Sequence, residues 1–211
     1  MILDKKERLI NEIWSGITHG IGLLLSIVAL VLLIVKAAGS TELLYLVAFV
    51  IYGISLMVLY AASMFFHCLY FTRAQKVFRV LDHCSIFMLI AGTYTPYCLL
   101  AIGGVKGILL LSLIWFLTIA GILYHILSKG RQQKIETIIY VVMGWLCLLG
   151  IKNLFAALGW GGFILLLIGG IMFTLGALIY SIKGVKYAHV YWHLFVILGS
   201  AAMFFSIYFY I

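Results

Sequence analysis

Residues 43–71 read LLYLVAFVIYGISLMVLYAASMFFHCLYF, and no Asp, Glu, Lys or Arg interrupts them. The stretch exceeds the ~20 apolar residues that a helix needs to cross the hydrocarbon of a bilayer. Near its end stand Ser63 and His67, an i, i+4 pair that a helix presents one turn apart on a single face. An imidazole is costly in hydrocarbon unless it is paired, wetted or bound, so an ionisable group there is a functional candidate from the outset. The stretch reads as a membrane span that carries part of a site.

Working outward, six further apolar stretches bring the candidate spans to seven, roughly 17–35, 43–71, 80–102, 107–127, 135–151, 160–182 and 189–211. The fifth is somewhat short, and tilt absorbs the excess length of the second. Hydrophobic residues make up 66% of the chain and charged ones 9%, with a mean hydropathy of +1.24. A soluble domain could not solvate such a surface. The expectation is an all-α polytopic protein of the cell membrane, with seven transmembrane helices in one domain over residues 1–211. The first stretch follows a charged start and shows no small-residue cleavage site, so it reads as a retained span. Between 152 and 162 there is room for a short interfacial segment. No internal repeat is visible, which removes the usual pointer to an inverted-repeat transporter.

The formal charge of +8 is not a nucleic-acid footprint, because the basic residues lie in short clusters between apolar runs. Lys5, Lys6 and Arg8 precede the first span, and Arg73, Lys76 and Arg79 join the second and third. Lys129, Arg131 and Lys134 join the fourth and fifth, and Lys183 and Lys186 the sixth and seventh. The opposite side has Lys36, Lys106 and Lys152. The positive-inside rule then places the N-terminus in the cytoplasm and the C-terminus outside.

With that orientation, all six histidines fall in one cytoplasmic-side layer. At about 1.5 Å per residue, His67 lies roughly 9 Å in from Arg73, and His193 roughly 10 Å in from Lys186. Asp82 and His189 each follow a cytoplasmic basic residue by three positions, hence roughly 4–5 Å. His189 and His193 repeat the i, i+4 spacing of Ser63 and His67, and the third span opens with Asp82-His83. The latter two side chains diverge by about 100°, so only one readily aims at a given site. Three neutral imidazoles make a tetrahedral zinc site whose fourth position stays open to water, the arrangement of a catalytic centre. A nearby carboxylate can take a proton from that water, and a hydroxyl can steady a developing oxyanion. Other readings exist for each residue. Asp82 could pair with Arg79 or cap its helix, and Ser63 could bond to a backbone carbonyl. His19, His83 and His125 read as interfacial or packing residues.

Four segments carry a resemblance: EIWSGITHGIG at 12–22, SMFFH at 63–67, LDHCSIFMLIAGTYTP at 81–96 and HVYWHLFVILGS at 189–200. In them the chain resembles the bacterial haemolysin III proteins, part of the progestin and adipoQ receptor family that includes the adiponectin receptors. That family is grouped with the alkaline ceramidases in a superfamily of membrane hydrolases. The resemblance runs nearly end to end. It implies seven helices with a cytoplasmic N-terminus and zinc held by His67, His189 and His193. It also implies that Asp82 contacts the water on the zinc and that Ser63 lies close by. Where Ser15 stands, haemolysin III-like sequences often carry Asn. The long cytoplasmic N-terminal region of the animal receptors has no counterpart here, so receptor signalling is not carried over.

Competing cofactors fail on simple grounds. A retinal protein needs a Lys in the last span, and none occurs between His189 and Ile211. Haem needs ligands from opposite sides, whereas His189 and His193 share one face. Cys68, Cys84, Cys98 and Cys147 form no C-x-x-C pair, although Cys68 or Cys84 could stand in as a zinc ligand. Gly169-Gly170 reads as a close-packing position, and Pro96 as the end or kink of the third span. The leading expectation is a zinc-dependent hydrolase of lipid amides or esters, its substrate entering from the bilayer. Asp82 and Ser63 would be its catalytic residues. The alternatives are a cytolysin or pore-forming protein and a non-catalytic zinc-binding sensor or regulator. A pore should be polar through the full depth of a span, and here the polar groups stop at one layer.

Overall fold

The first helix starts a dozen residues ahead of the apolar run that predicts it. Asp4 is its N-cap: Glu7 N donates to Asp4 Oδ1 at 2.7 Å, and Asp4 N donates to Glu7 Oε2 at 3.1 Å. This reciprocal box satisfies two of the free N–H groups that every helix start leaves. The computed structural model describes residues 4–129, 133–182 and 184–211. Arg131 and Lys183 of the basic loops lie outside the described residues.

All regular structure among the described residues is helical. The helices are α1 (Lys5–Ala38), α2 (Leu43–Cys68), α3 (Gln75–Pro96), α4 (Gly104–Ser128), α5 (Gln133–Trp145), α6 (Ile151–Ser181) and α7 (Ala188–Tyr210). Each packs on its successor and α7 returns to α1, which closes a ring; α3 also touches α5. Among the described residues, six helical runs are long and apolar enough to cross a membrane. Their outward faces carry large exposed apolar side chains such as Leu24, Val35, Val105, Phe116 and Leu127. In water that surface would be a liability; in lipid it is the solvated side. The chain is a multi-pass membrane protein.

One of the six runs is Gln133–Ser181, 49 residues in length. As a straight rod it would reach about 73 Å. Instead its ends meet, because Gln133 Nε2 donates to the hydroxyl of Tyr180. The reversal uses a 3₁₀ segment, Leu146–Gly150, and then Gly159, whose φ of 61° belongs to glycine. Residues 151–158 between them are a short helix that fills the 152–162 break. Thus α5 and the main body of α6 run antiparallel.

Pro96 ends the α-helical hydrogen bonding of α3 but not its course. The chain continues as a π-helical turn, Tyr97–Ile102, closed by a bond from Gly103 N to Cys98 O at 3.0 Å. Proline cannot donate and crowds the preceding turn, and one wider turn accommodates both faults. The start of α4 lies so close to this turn that a Cβ on Gly107 would stand 2.1 Å from Cys98 O. Gly169 likewise serves packing, since a Cβ there would stand 2.8 Å from the Met203 side chain.

Polar contacts tie the two ends of the ring separately. At one end Lys186 Nζ donates to Glu7 Oε1 at 2.6 Å, joining the start of α7 to that of α1. The ion pair holds the Glu7 carboxyl below its usual range. At the other end Lys36 donates to the carbonyl of Tyr208, and Lys106 Nζ to Asn153 Oδ1 at 3.2 Å.

Candidate metal centre and cavity

The last turn of α2 and the first turns of α7 lie side by side against α1. This brings His67, His189 and His193 together, with one ligand atom of each within 4.8 Å of the others. His67 and His193 are buried and His189 is half-buried. The ring centroids of His67 and His189 are 4.8 Å apart, those of His67 and His193 5.0 Å, and those of His189 and His193 4.6 Å. The trio predicted from the sequence is therefore one cluster in space, and it could hold a metal ion.

Hydrogen bonds from α1 assign the ring tautomers. His67 Nδ1 lies 2.7 Å from Glu12 Oε2, so it carries the proton it donates to that carboxylate. His193 Nδ1 lies 3.2 Å from the carbonyl of Ser15 and 3.3 Å from Thr18 Oγ1. Thr18 Oγ1 donates its own proton to Trp14 O at 2.8 Å and Ser15 O at 3.0 Å, so it too accepts from His193. In both rings Nε2 is left with a lone pair. His67 Nε2 stands 3.0 Å from His189 Nε2. An outer acceptor that fixes one ring nitrogen and frees the other is the usual support of a metal-binding histidine. Neutral imidazole nitrogens held this close fit a shared cation.

Glu12 had not been singled out from the sequence. Its signal was there: Glu12, Ser15 and His19 follow the i, i+3, i+7 spacing of one helical face, and all three are buried in α1. The second oxygen of Glu12 accepts from Asn11 Nδ2 at 3.3 Å. Buried His19 lies against the cluster, and neither of its ring nitrogens has a hydrogen-bond partner. It stacks on His193 with centroids 3.5 Å apart and meets the edge of Tyr60 at 5.1 Å.

Asp82 and Ser63 border the same cavity as His189 and His193, a space of about 130 Å³. Asp82 is not a helix cap, because α3 begins at Gln75 behind Ala74, and it makes no ion pair with Arg79. Ser63 does not bond back to its helix: its buried Oγ stands beside the Asp82 carboxyl. Buried hydroxyls elsewhere in the bundle do bond to carbonyls, as Ser55 does to Tyr52 O and Thr95 to Ala91 O. A hydroxyl and a carboxyl side by side at a cavity wall are available to whatever occupies it. From Asp82 the cavity runs along α3 to Tyr94, roughly 18 Å at helical rise. Its far part is bordered chiefly by apolar side chains, among them Leu89, Ile90, Trp145, Val196 and Met203.

His83 and His125, read from the sequence as interfacial or packing residues, belong to a second cluster with Glu136. None of the cysteines joins either cluster, and Cys68 is exposed.

A profile of the family described as haemolysin-III related matches residues 7–204, which include every residue named above in the first cluster. The chain is 44% identical over 201 residues to Hemolysin-3 of Bacillus cereus, covering 95% of this chain and 92% of that protein. It is 43% identical to the Hemolysin-3 homolog of Bacillus subtilis, covering 95% and 94%. A more distant relative is the human Monocyte to macrophage differentiation factor, 26% identical over 76% of this chain and 69% of that one.

Proposed function

This chain belongs to the haemolysin-III related family, and from that premise we propose that it is a zinc-dependent hydrolase of lipid amides or esters. The observation that carries the proposal is the Ser63 hydroxyl beside the Asp82 carboxyl, at the histidine end of a long, mostly apolar cavity. His67, His189 and His193 would hold the zinc. When bound, the ion supplies Lewis acidity and a water that ionises near neutral pH. Asp82 would accept a proton and return it to the leaving group, as a general base and then acid. Ser63 Oγ, which bonds to no carbonyl of its own helix, can donate to the oxyanion that forms at the scissile carbonyl. The apolar walls toward Tyr94 suit an acyl chain laid along α3, with the carbonyl at the polar end.

The same proposal includes a topology of seven crossings with the N-terminus inside. The α5 segment and its 3₁₀ extension rise about 30 Å together, enough for one crossing, and the body of α6 supplies the next. The site would then face the cytoplasm. The name Hemolysin-3 borne by the Bacillus relatives favours a second reading, a cytolysin. Against it stands the confinement of the carboxylates and imidazoles to one end of the cavity.

The deciding experiment uses Asp82→Asn. The variant should keep its metal and thermal midpoint while hydrolysis of a fatty-amide panel falls by ~10²-fold or more. Wild type with full zinc occupancy that hydrolyses none of a broad amide and ester panel would end the enzyme reading in favour of a sensor. Dye release from sealed liposomes, equal in wild type and Asp82→Asn, would favour the cytolysin.

A further inference from the structure

The second cluster is built from three helices. α3 contributes His83, α4 contributes His125 and α5 contributes Glu136, with one ligand atom of each within 4.8 Å of the others. His125 Nδ1 lies 2.9 Å from Glu136 Oε1, and His83 Nδ1 lies 3.7 Å from Glu136 Oε2. The two imidazoles stack at 4.9 Å and 14°, and both present the same nitrogen to one carboxylate. Tyr140 fixes this end of α5 on α3 by donating to the carbonyl of His83 at 3.1 Å.

Glu136 is the anomaly of the group. It is 1% exposed, and its Oε2 has no hydrogen-bond partner. A carboxylate in that position needs a compensating charge or a full set of donors. The ion pairs found among the described residues bring no Lys or Arg to it, only the two imidazoles. Two nitrogens and one carboxylate at this spacing form the His₂Glu donor set that borderline divalent metals favour, whereas calcium and magnesium prefer all-oxygen shells. His83 and Glu136 also border the cavity, so an ion would have a route in.

We propose that His83, His125 and Glu136 form a second binding site for a divalent transition-metal cation, beside the first and opening on the same cavity. Ligation replaces the His125–Glu136 hydrogen bond: the ring's one proton moves from Nδ1 to Nε2 by exchange with solvent, which keeps the imidazole neutral, and the Nδ1 lone pair and the free Oε2 take the ion. The site is independent of the hydrolase reading, since it requires nothing of Asp82 or Ser63.

The test is a count of zinc per chain on full-length protein in detergent, stripped by chelator and re-equilibrated with zinc alone. Wild type should hold two equivalents. Glu136→Gln and, separately, His125→Gln should each hold one, His193→Ala should hold one, and His193→Ala with Glu136→Gln none. The equivalent kept in each single variant reports that the bundle still folds. A wild type holding one equivalent that His193→Ala removes and Glu136→Gln leaves would overturn the proposal. So would two equivalents retained in both Glu136→Gln and His125→Gln. One equivalent that Glu136→Gln removes and His193→Ala leaves would support this site while the first one fails.

Discussion

The two histidine clusters solve the same problem in opposite ways. In the first, the acceptors stand outside: Glu12 and the Ser15 carbonyl each accept a hydrogen bond from one ring nitrogen and leave the other bare. In the second, the carboxylate faces the Nδ1 atoms of the stacked His83 and His125 and is itself a candidate ligand. The first is a frame of neutral donors around an opening. The second is a compact charge arrangement with one loose oxygen. Burial alone does not define a polar site in a membrane bundle; the position of the anion relative to the rings does.

The comparison can be broken most forcefully at His193. Its replacement by Ala removes a ring that is 1% exposed and touches both other histidines of its cluster. Metal analysis should show the whole of the first equivalent lost, because two imidazoles make an incomplete site. The second cluster should be untouched, and parallel loss from both would mean that the clusters are not separate units. A smaller effect is expected from Glu12→Gln. The amide can still accept from His67 Nδ1 but no longer carries the charge that raises its basicity. Zinc affinity of the first cluster, read by competition with a chelator, should weaken about tenfold to a hundredfold. No change there would reduce Glu12 to a packing residue. The smallest effect belongs to Glu7→Gln, which cuts the exposed pair with Lys186 three residues ahead of His189. Exposed ion pairs contribute little. Neither zinc content nor thermal midpoint should move, and a measurable loss of zinc would show that this contact positions α7.

Much of the bundle is legible in the residues themselves. Every apolar stretch became a helix, because in hydrocarbon a backbone has no other way to satisfy itself within one segment. The helix ends were less legible, since local chemistry sets them: the Asp4–Glu7 box draws α1 forward, and Pro96 exchanges an α-helical for a π-helical turn. The fold-back of Gln133–Ser181 depends on Gly159, one glycine among many in the chain. The first cluster was visible because two of its histidines share one helix at i, i+4. The second was hidden because its members come from three helices, a pairing that no local spacing encodes. One clue was present, for Asp82 and Glu136 are the two carboxylates inside the apolar stretches.

The adjacency of Asp82 and His83 has a mechanical consequence. Neighbours on a helix point about 100° apart, and here one borders the first cluster's end of the cavity while the other belongs to the second. α3 is thus a shaft with two cams. Any turn of that shaft about its own axis moves both side chains together through the same angle, so neither cluster can be adjusted through α3 without the other feeling it.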